Sequence, residues 1–345
     1  MQKIGIFDSG VETPEEIVMA AGFTPYRFFG DPTLQPERAN EHIPPTHCIW
    51  TRNLLEQAIR GLNENIVGII GTHGCDRTNR EFDIWIECLN LDFMFFLNSP
   101  RKRDNLALNF FKNDLKELIL RLEECFNIDI TSAKLKDAII KMNKIRKLLK
   151  KISDYRNKLV IKGSEFHELV KSAQFQDKNQ VLESLEQKLA EFESRTPFSG
   201  DKVKRVLLTG SEIDDTKFIK FLEDLGFHIV IDDLGVGTKY FWNLVDENSE
   251  PIEALAKYHL IKPINSIKYP SYERFNILEK LTEDYKVDGV INIAQKFCEP
   301  VLYDHPYLNK KFKELEIPYL FIEVTYNRES YSQLSTRFSA FAEII

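Results

Sequence analysis

Short apolar runs alternate along this chain with longer segments in which apolar side chains recur at helical spacing. In the first third, the pattern predicts strands at 3–7, 26–30, 65–71 and 92–98, with helices at 13–22, 51–61 and 76–91. In the last third, it predicts strands at 204–210, 227–233, 288–294 and 318–324, with helices at 214–226, 271–287, 307–317 and 332–345. Alternation of this kind is typical of parallel sheets covered by helices. The first predicted helix has Thr13 as its expected N-cap residue.

The middle of the chain has a helical pattern without strands. In "DLKELILRLEECFN", apolar residues at positions 115, 118, 119, 122 and 126 follow the helical period. We therefore predict an α/β fold with two Rossmann-like or flavodoxin-like parallel-sheet domains and an intervening helical segment. The expected boundaries are 1–103, 104–198 and 199–345, and the polar stretch 196–203 is the expected linker.

Composition narrows the class of protein. The 345 residues include 46 basic and 53 acidic residues, a formal net charge of −7, which argues against a general nucleic-acid binder. No apolar stretch reaches the length of a membrane span, and the start "MQKIGIFDSG" lacks a signal-peptide pattern. We expect a cytoplasmic protein, with no nucleic-acid or membrane partner, whose thiols stay reduced.

The cysteines are the candidate chemistry. An odd number in a reducing compartment does not indicate a disulfide framework, so each cysteine is a core residue or a ligand. The five are Cys48, Cys75, Cys88, Cys125 and Cys298. Cys88 and Cys125 lie within or beside apolar helical stripes, and we predict that both pack in the core.

The other three cysteines follow predicted strands or precede a helix. Cys75 follows the third strand of the first half, and Cys298 follows the third strand of the second half. Open α/β sheets bind ligands outside the carboxyl ends of their strands, so two facing crevices would bring these thiols together. Cys48 comes directly before a helix, whose N-terminus favours a thiolate.

Three converging thiolates suggest a metal centre. One possibility is zinc, with His47 or His73 as the fourth ligand, although His73 is rather expected to form a hydrogen bond within its loop. The other is an iron–sulfur cluster in which one iron is not held by cysteine. The intervals of 27 and 223 residues match no short metal-binding signature, so simple packing of the three thiols also remains possible.

A family resemblance extends over nearly the whole chain. The segments "TPEEIVMAAGFTPYRFFG", "HCIWTRNLLEQAIRG", "THGCDRTNREFD", "IDDLGVGTKYFW", "KVDGVINIAQKFCEP" and "QLSTRFSAF" resemble, in order, blocks of the 2-hydroxyacyl-CoA dehydratase and benzoyl-CoA reductase subunit family. The cysteine in "KFCEP" and the "QLSTRFSAF" ending are the most specific of these. The resemblance implies that Cys48, Cys75 and Cys298 hold a [4Fe–4S] cluster between the two α/β domains.

The resemblance also implies an activity and its partners. Family members work as paired subunits, so a second homologous subunit is expected, in a heterodimer or a homodimer. A separate ATP-hydrolysing iron–sulfur activator delivers a low-potential electron, with which the enzymes dehydrate or reduce acyl-CoA thioesters. In this chain, "LLTGSEIDD" lacks the lysine and the spacing of a phosphate-binding loop. That agrees with ATP hydrolysis on a partner.

Two other functions stay open at this point. One is ATP-coupled reduction of small molecules by a double-cubane relative, which would need about six thiolates, more than the five cysteines present. The other is a non-catalytic role as an electron-relay or accessory subunit. The chain is also short for the family, which favours the smaller subunit of a pair or a stand-alone homologue. No residue is predicted here as a catalytic acid or base.

Overall fold

Two four-stranded sheets, each entirely parallel, form the framework of the computed structural model, which describes residues 1–198, 203–262, 265–268, 270–327 and 331–345. The first sheet contains Lys3–Phe7 (β1), Thr24–Arg27 (β2), Ile66–Thr72 (β3) and Phe93–Leu97 (β4), in the order β2-β1-β3-β4. The second contains Lys204–Gly210 (β5), Phe227–Asp232 (β6), Gly289–Gln295 (β7) and Tyr319–Val324 (β8), in the order β6-β5-β7-β8. The predicted α/β class with two parallel sheets is confirmed.

Twelve α-helices surround the sheets in the part of the chain that the structure describes. They are Glu15–Ala20 (α1), Ile49–Ile59 (α2), Asp76–Cys88 (α3), Asn105–Phe126 (α4), Ser132–Asn157 (α5), Gly163–Ala173 (α6), Lys178–Glu193 (α7), Thr216–Asp224 (α8), Pro251–Ile261 (α9), Ser271–Asp284 (α10), Glu299–Glu314 (α11) and Tyr331–Ile344 (α12). We call the first sheet with α1–α3 the N-terminal lobe, the second sheet with α8–α12 the C-terminal lobe, and α4–α7 the helical layer. Within the described helices, none is long and apolar enough to cross a membrane.

Two helix starts differ from the predictions. Thr13 does not cap α1, because its backbone N–H and its hydroxyl both donate to the Asp8 carboxylate, and the helix begins at Glu15 after Pro14. The helix predicted at 307–317 begins at Glu299 instead. Pro300 occupies its first turn, where a missing N–H breaks no helical hydrogen bond. Pro300 therefore lies in the first turn of the helix, five residues after β7 ends at Gln295.

The helical layer is packed against both lobes. The predicted stripe of α4 faces inward, with Leu115, Leu118 and Leu122 fully buried. These residues share one apolar cluster with the first sheet and with Leu255 of α9. Helix α5 packs against α1 on one side and β6 on the other. The predicted boundaries at 103 and 198 stay a prediction, and residues 199–202 of the predicted linker lie outside the described residues.

A buried ion pair joins the helical layer to the N-terminal lobe. Arg146 of α5 donates to Glu16 of α1 over 2.6 Å, and both side chains are almost completely buried. The Arg146 guanidinium also lies 4.5 Å from the centre of the Tyr258 ring of α9. The cation of α5 therefore contacts one helix of the N-terminal lobe and one helix of the C-terminal lobe.

We expect Arg146→Met to lower the free energy of unfolding by about 3–5 kcal/mol, because the Glu16 carboxylate would remain buried without its partner. Denaturant unfolding of the purified protein measures this. Lys147→Met is the matched control, since Lys147 is mostly exposed and its ion pair with Glu247 is long, at 3.8 Å. A loss of unfolding free energy no larger than that of the control would show that the Arg146–Glu16 pair does not hold the helical layer to the N-terminal lobe.

Candidate metal centre

A pocket lies where the carboxyl ends of the two sheets meet. In the first sheet the strand order reverses between the neighbouring strands β1 and β3, and in the second sheet it reverses between β5 and β7. Ligands of open α/β sheets bind at such switch points. The loops after these four strands all reach the pocket, through Ser9, Cys75, Ser211 and Cys298 respectively. The pocket has an empty volume of about 700 Å³, counted to its open mouth.

All three predicted site cysteines line this pocket. Each one directly precedes a helix: Cys48 precedes α2, Cys75 precedes α3 and Cys298 precedes α11. The first turn of a helix has unpaired backbone N–H groups and a partial positive charge, which stabilise a thiolate. The convergence that the sequence predicted from strand and helix positions is therefore present in the fold.

Burial raises the pKa of two of the three thiols, and neighbouring cysteines contribute to the increase. Burial, together with Cys298 and Cys75, brings the pKa of Cys48 to about 12. Burial, together with Cys75, brings the pKa of Cys298 to about 11. Both thiols are therefore protonated at neutral pH, and a bound cation would favour their thiolate forms.

Hydrogen-bond donors already point at two of the sulfurs. The backbone N–H of Thr51, in the first turn of α2, lowers the pKa of Cys48. The Ser211 hydroxyl and the backbone N–H of Val301 lower that of Cys298. The Thr78 hydroxyl donates to the Cys75 carbonyl at 2.9 Å and lies 3.7 Å from the Cys75 sulfur. Donors of this kind hold ligand sulfurs in place and favour their ionised form.

Neither histidine proposed as a fourth zinc ligand reaches the pocket. His47 Nε2 is 3.1 Å from the Glu81 carboxylate, and His73 Nδ1 is 3.2 Å from the Ser99 carbonyl. The described lining residues include no histidine. His73 does form a hydrogen bond, but its partner lies in the loop after β4 and not within its own loop as predicted.

The arrangement does not suit a single ion. Across the described residues, no three Cys, His, Asp or Glu side chains are grouped closely enough to hold one metal ion. A zinc ion requires its thiolates at about 2.3 Å from one point. A cluster offers a separate iron to each cysteine, so its ligands can surround a larger space. Cysteine thiolates are the ligands that iron–sulfur clusters use.

Several polar residues of the pocket were missed from the sequence. The most notable is Glu212 in the loop after β5, whose burial raises the pKa of its carboxyl group to about 7. Arg27 opposes this shift from 3.3 Å, whereas Asp214 and Asp8 add to it. Lys239 also lines the pocket, 3.0 Å from the Asp233 carboxylate. The position of Glu212 after the first strand of the second sheet was the signal that could have identified it.

The remaining two cysteines lie elsewhere. Cys88 is half-buried and packs against the apolar cluster around Trp85, so its predicted packing is confirmed. Cys125 is exposed, and its thiol contacts the Asp92 carbonyl over 3.5 Å, so its predicted core position is wrong. The residue lies beside the apolar stripe of α4 at the last helical turn, where the neighbouring Phe126 packs on Phe23 and Phe93 and Cys125 itself faces solvent.

Comparison with known proteins identifies relatives over almost the full length. The family model described as "2-hydroxyglutaryl-CoA dehydratase, D-component" matches residues 11–345. The chain is 28% identical to the (R)-phenyllactyl-CoA dehydratase beta subunit of Clostridium sporogenes, over 96% of this chain and 89% of that protein. It is 27% identical to the beta subunit of (R)-2-hydroxyglutaryl-CoA dehydratase from Acidaminococcus fermentans, with the same coverage. It is 24% identical to a subunit of benzoyl-CoA reductase from Thauera aromatica, over 97% and 89%.

The raised pKa of Glu212 predicts a pH-dependent stability in the metal-free protein. Below pH 4.5 the carboxyl is protonated in both the folded and the unfolded chain and has no effect. Between pH 4.5 and 7, the Glu212 carboxyl ionises in the unfolded chain but stays mostly protonated in the folded chain. The free energy of unfolding therefore falls as the pH rises, and the fall is complete above about pH 7. Glu212→Gln removes that loss.

We therefore expect Glu212→Gln to stabilise the metal-free protein by up to about 3 kcal/mol at pH 8 and by much less at pH 4.5. Thermal unfolding at the two pH values measures the difference. Glu299→Gln is the control, because the Glu299 side chain is half-exposed. An equal effect of Glu212→Gln at both pH values would contradict the buried, protonated state of Glu212.

Proposed function

We propose that this chain, which belongs to the 2-hydroxyglutaryl-CoA dehydratase D-component family, is a [4Fe–4S]-binding subunit of an enzyme that dehydrates 2-hydroxyacyl-CoA thioesters or reduces an aromatic acyl-CoA. Cys48, Cys75 and Cys298 are the proposed cluster ligands. The relatives named above belong to two acyl-CoA dehydratases and to benzoyl-CoA reductase, which supports the acyl-CoA class of substrate.

The observation that carries this proposal is the set of three cysteines that line one pocket. They come from both lobes, and each directly precedes a helix whose N-terminus favours a thiolate ligand. When bound, such a cluster supplies low-potential electron transfer. Three protein ligands leave one iron of a cubane without a cysteine, and the pocket extends beyond the three sulfurs.

The protein's own residues have distinct roles in this proposal. The apolar side chains of Trp50, Ile267 and Val301 line the pocket and limit the access of water to it. The Ser211 hydroxyl faces the Cys298 sulfur and favours its thiolate. Glu212, whose pKa is about 7, can hold or release a proton at its carboxyl group near neutral pH. It is therefore the proposed proton carrier of the pocket.

The proposed partners follow from the family. Two of the relatives are named as beta subunits of their enzymes, which supports a second, homologous subunit for this chain. An ATP-hydrolysing iron–sulfur activator is the proposed electron donor. A double-cubane reductase is disfavoured, because a second cubane needs about three further thiolates. Among the described residues, the pocket contains only three cysteines, and Cys88 and Cys125 lie outside it.

Removal of one ligand tests the site. We expect Cys298→Ala, and separately Cys75→Ala, to lose most of the iron and acid-labile sulfide of the anaerobically purified protein, because a cubane held by two cysteines is easily lost. Chemical analysis of iron and sulfide per chain measures this. Cys125→Ala is the matched control, since that thiol is exposed and outside the pocket. Unchanged iron in both ligand variants, with circular dichroism like that of the wild type, would refute the assignment.

Turnover tests the activity. The protein, combined with a homologous partner subunit and an ATP-hydrolysing iron–sulfur activator, is expected to convert at least one member of a panel of 2-hydroxyacyl-CoA and aromatic acyl-CoA thioesters. The reaction should require both ATP and the activator. A fully loaded cluster that is reduced by the activator, without conversion of any thioester, would instead support the electron-relay function.

A further inference from the structure

We propose that Asp214 is a positioning residue that fixes Cys48 of the N-terminal lobe relative to Cys298 of the C-terminal lobe. This inference rests on the proposed function, since its consequence is the geometry of the bound cluster. Asp214 lies between β5 and α8, and its side chain is fully buried. It was not among the residues predicted from the sequence.

The Asp214 carboxylate accepts three hydrogen bonds, two of them from the N-terminal lobe. One oxygen accepts from the indole Nε1 of Trp50 at 2.8 Å and from the backbone N–H of Gly30 at 2.7 Å. The other accepts from the hydroxyl of Tyr326 at 2.6 Å. An ionised acceptor makes each of these bonds stronger than a neutral one would. The carboxylate thus ties the two lobes together at a single point.

Trp50 connects this contact to the metal site. It lies in the first turn of α2, two residues after Cys48, and its side chain lines the pocket. The indole is buried, so its orientation is set by the apolar cluster around it and by the bond to Asp214. Because Cys48 directly precedes the helix that carries Trp50, a shift of Trp50 would also move the Cys48 sulfur.

A steric contact reinforces the hydrogen bonds. Tyr326, which follows β8, packs into the apolar cluster of the N-terminal lobe that contains Trp50. Its hydroxyl comes so close to Gly30 that a Cβ atom at that position would lie 2.2 Å from it. Only glycine permits this approach. The side chain from one lobe therefore fits into a space that the other lobe leaves open, directly beside the Asp214 carboxylate.

The burial of Asp214 indicates that the contact is specific. A buried carboxylate is unfavourable unless its hydrogen bonds are satisfied, and an apolar contact would suffice if the lobes only had to adhere. The donors that satisfy Asp214 are an indole, a backbone amide and a phenol, all neutral groups. Each must point at the carboxylate, so the arrangement fixes orientation as well as distance.

Substitutions can separate positioning from charge. Asp214→Ala removes the acceptor, and Trp50→Phe removes only the indole N–H while keeping a ring. Asp214→Asn removes the charge, but its carbonyl can still accept from Trp50 and Gly30 while its amide donates to the Tyr326 hydroxyl. Glu223→Ala is the control, because Glu223 ties Ser164 of α6 to α8 and does not line the pocket.

The first measurement uses metal-free protein and the alkylation of Cys48 by iodoacetamide, followed by peptide mass spectrometry. We expect a several-fold change in the rate for Asp214→Ala and Trp50→Phe, and the wild-type rate for Asp214→Asn and Glu223→Ala. Wild-type rates in both Asp214→Ala and Trp50→Phe would overturn the proposal. If Asp214→Ala does not fold, Trp50→Phe provides the same test.

The second measurement is the electron paramagnetic resonance spectrum of the reduced, loaded protein. Asp214→Ala and Trp50→Phe should alter the g values, and Asp214→Asn should restore them. A spectrum of Asp214→Asn that matches Asp214→Ala would show that charge matters and positioning does not, which overturns the proposal. If the wild type itself binds no cluster, the proposed function fails, whereas the alkylation rates still decide the role of Asp214.

Discussion

The convergence of three cysteines from two lobes on one pocket is the constraint around which this molecule is organised. Burial, with a contribution from neighbouring thiols, raises the pKa of Cys48 and of Cys298. Such a set is uncharged while it is protonated, and a bound cation would favour its ionised form. Its placement at three helix N-termini lowers the cost of ionisation without removing it. The pocket is therefore suited to a positively charged, sulfur-binding group such as an iron–sulfur cluster.

The fold creates this convergence because both lobes contain a sheet with the same strand order. Both sheets have one strand order, so both have their switch point between equivalent strands, and the two switch points face a common pocket. Sulfurs from different lobes can bind one cluster only if the two lobes keep a fixed distance and orientation. The helical layer, through the buried Arg146–Glu16 pair, and the proposed contact at Asp214 would both maintain that relation.

Local signals were sufficient for most of the fold and for the three cysteines. Apolar runs identified all eight strands, although β2 lies at Thr24–Arg27 and not at the predicted 26–30. The positions of Cys75 and Cys298 after equivalent strands indicated a shared site. The errors at Thr13 and at the start of α11 arose where a side chain or a proline has two possible local roles, and tertiary contacts decide between them. Asp214 and Trp50 are 164 residues apart in the chain, so their contact has no local signal. Glu212 was missed although it follows the first strand of the second sheet, because its raised pKa depends on burial that the sequence does not show.

The central claim is that sulfurs of the two lobes bind one inorganic cluster. Its most direct test is the content of iron, acid-labile sulfide and zinc in the wild-type protein purified without oxygen. We expect about four irons and about four sulfides per chain, with an absorption spectrum that bleaches on reduction. A folded, fully reduced protein that contains zinc alone, or no metal at all, would contradict the claim.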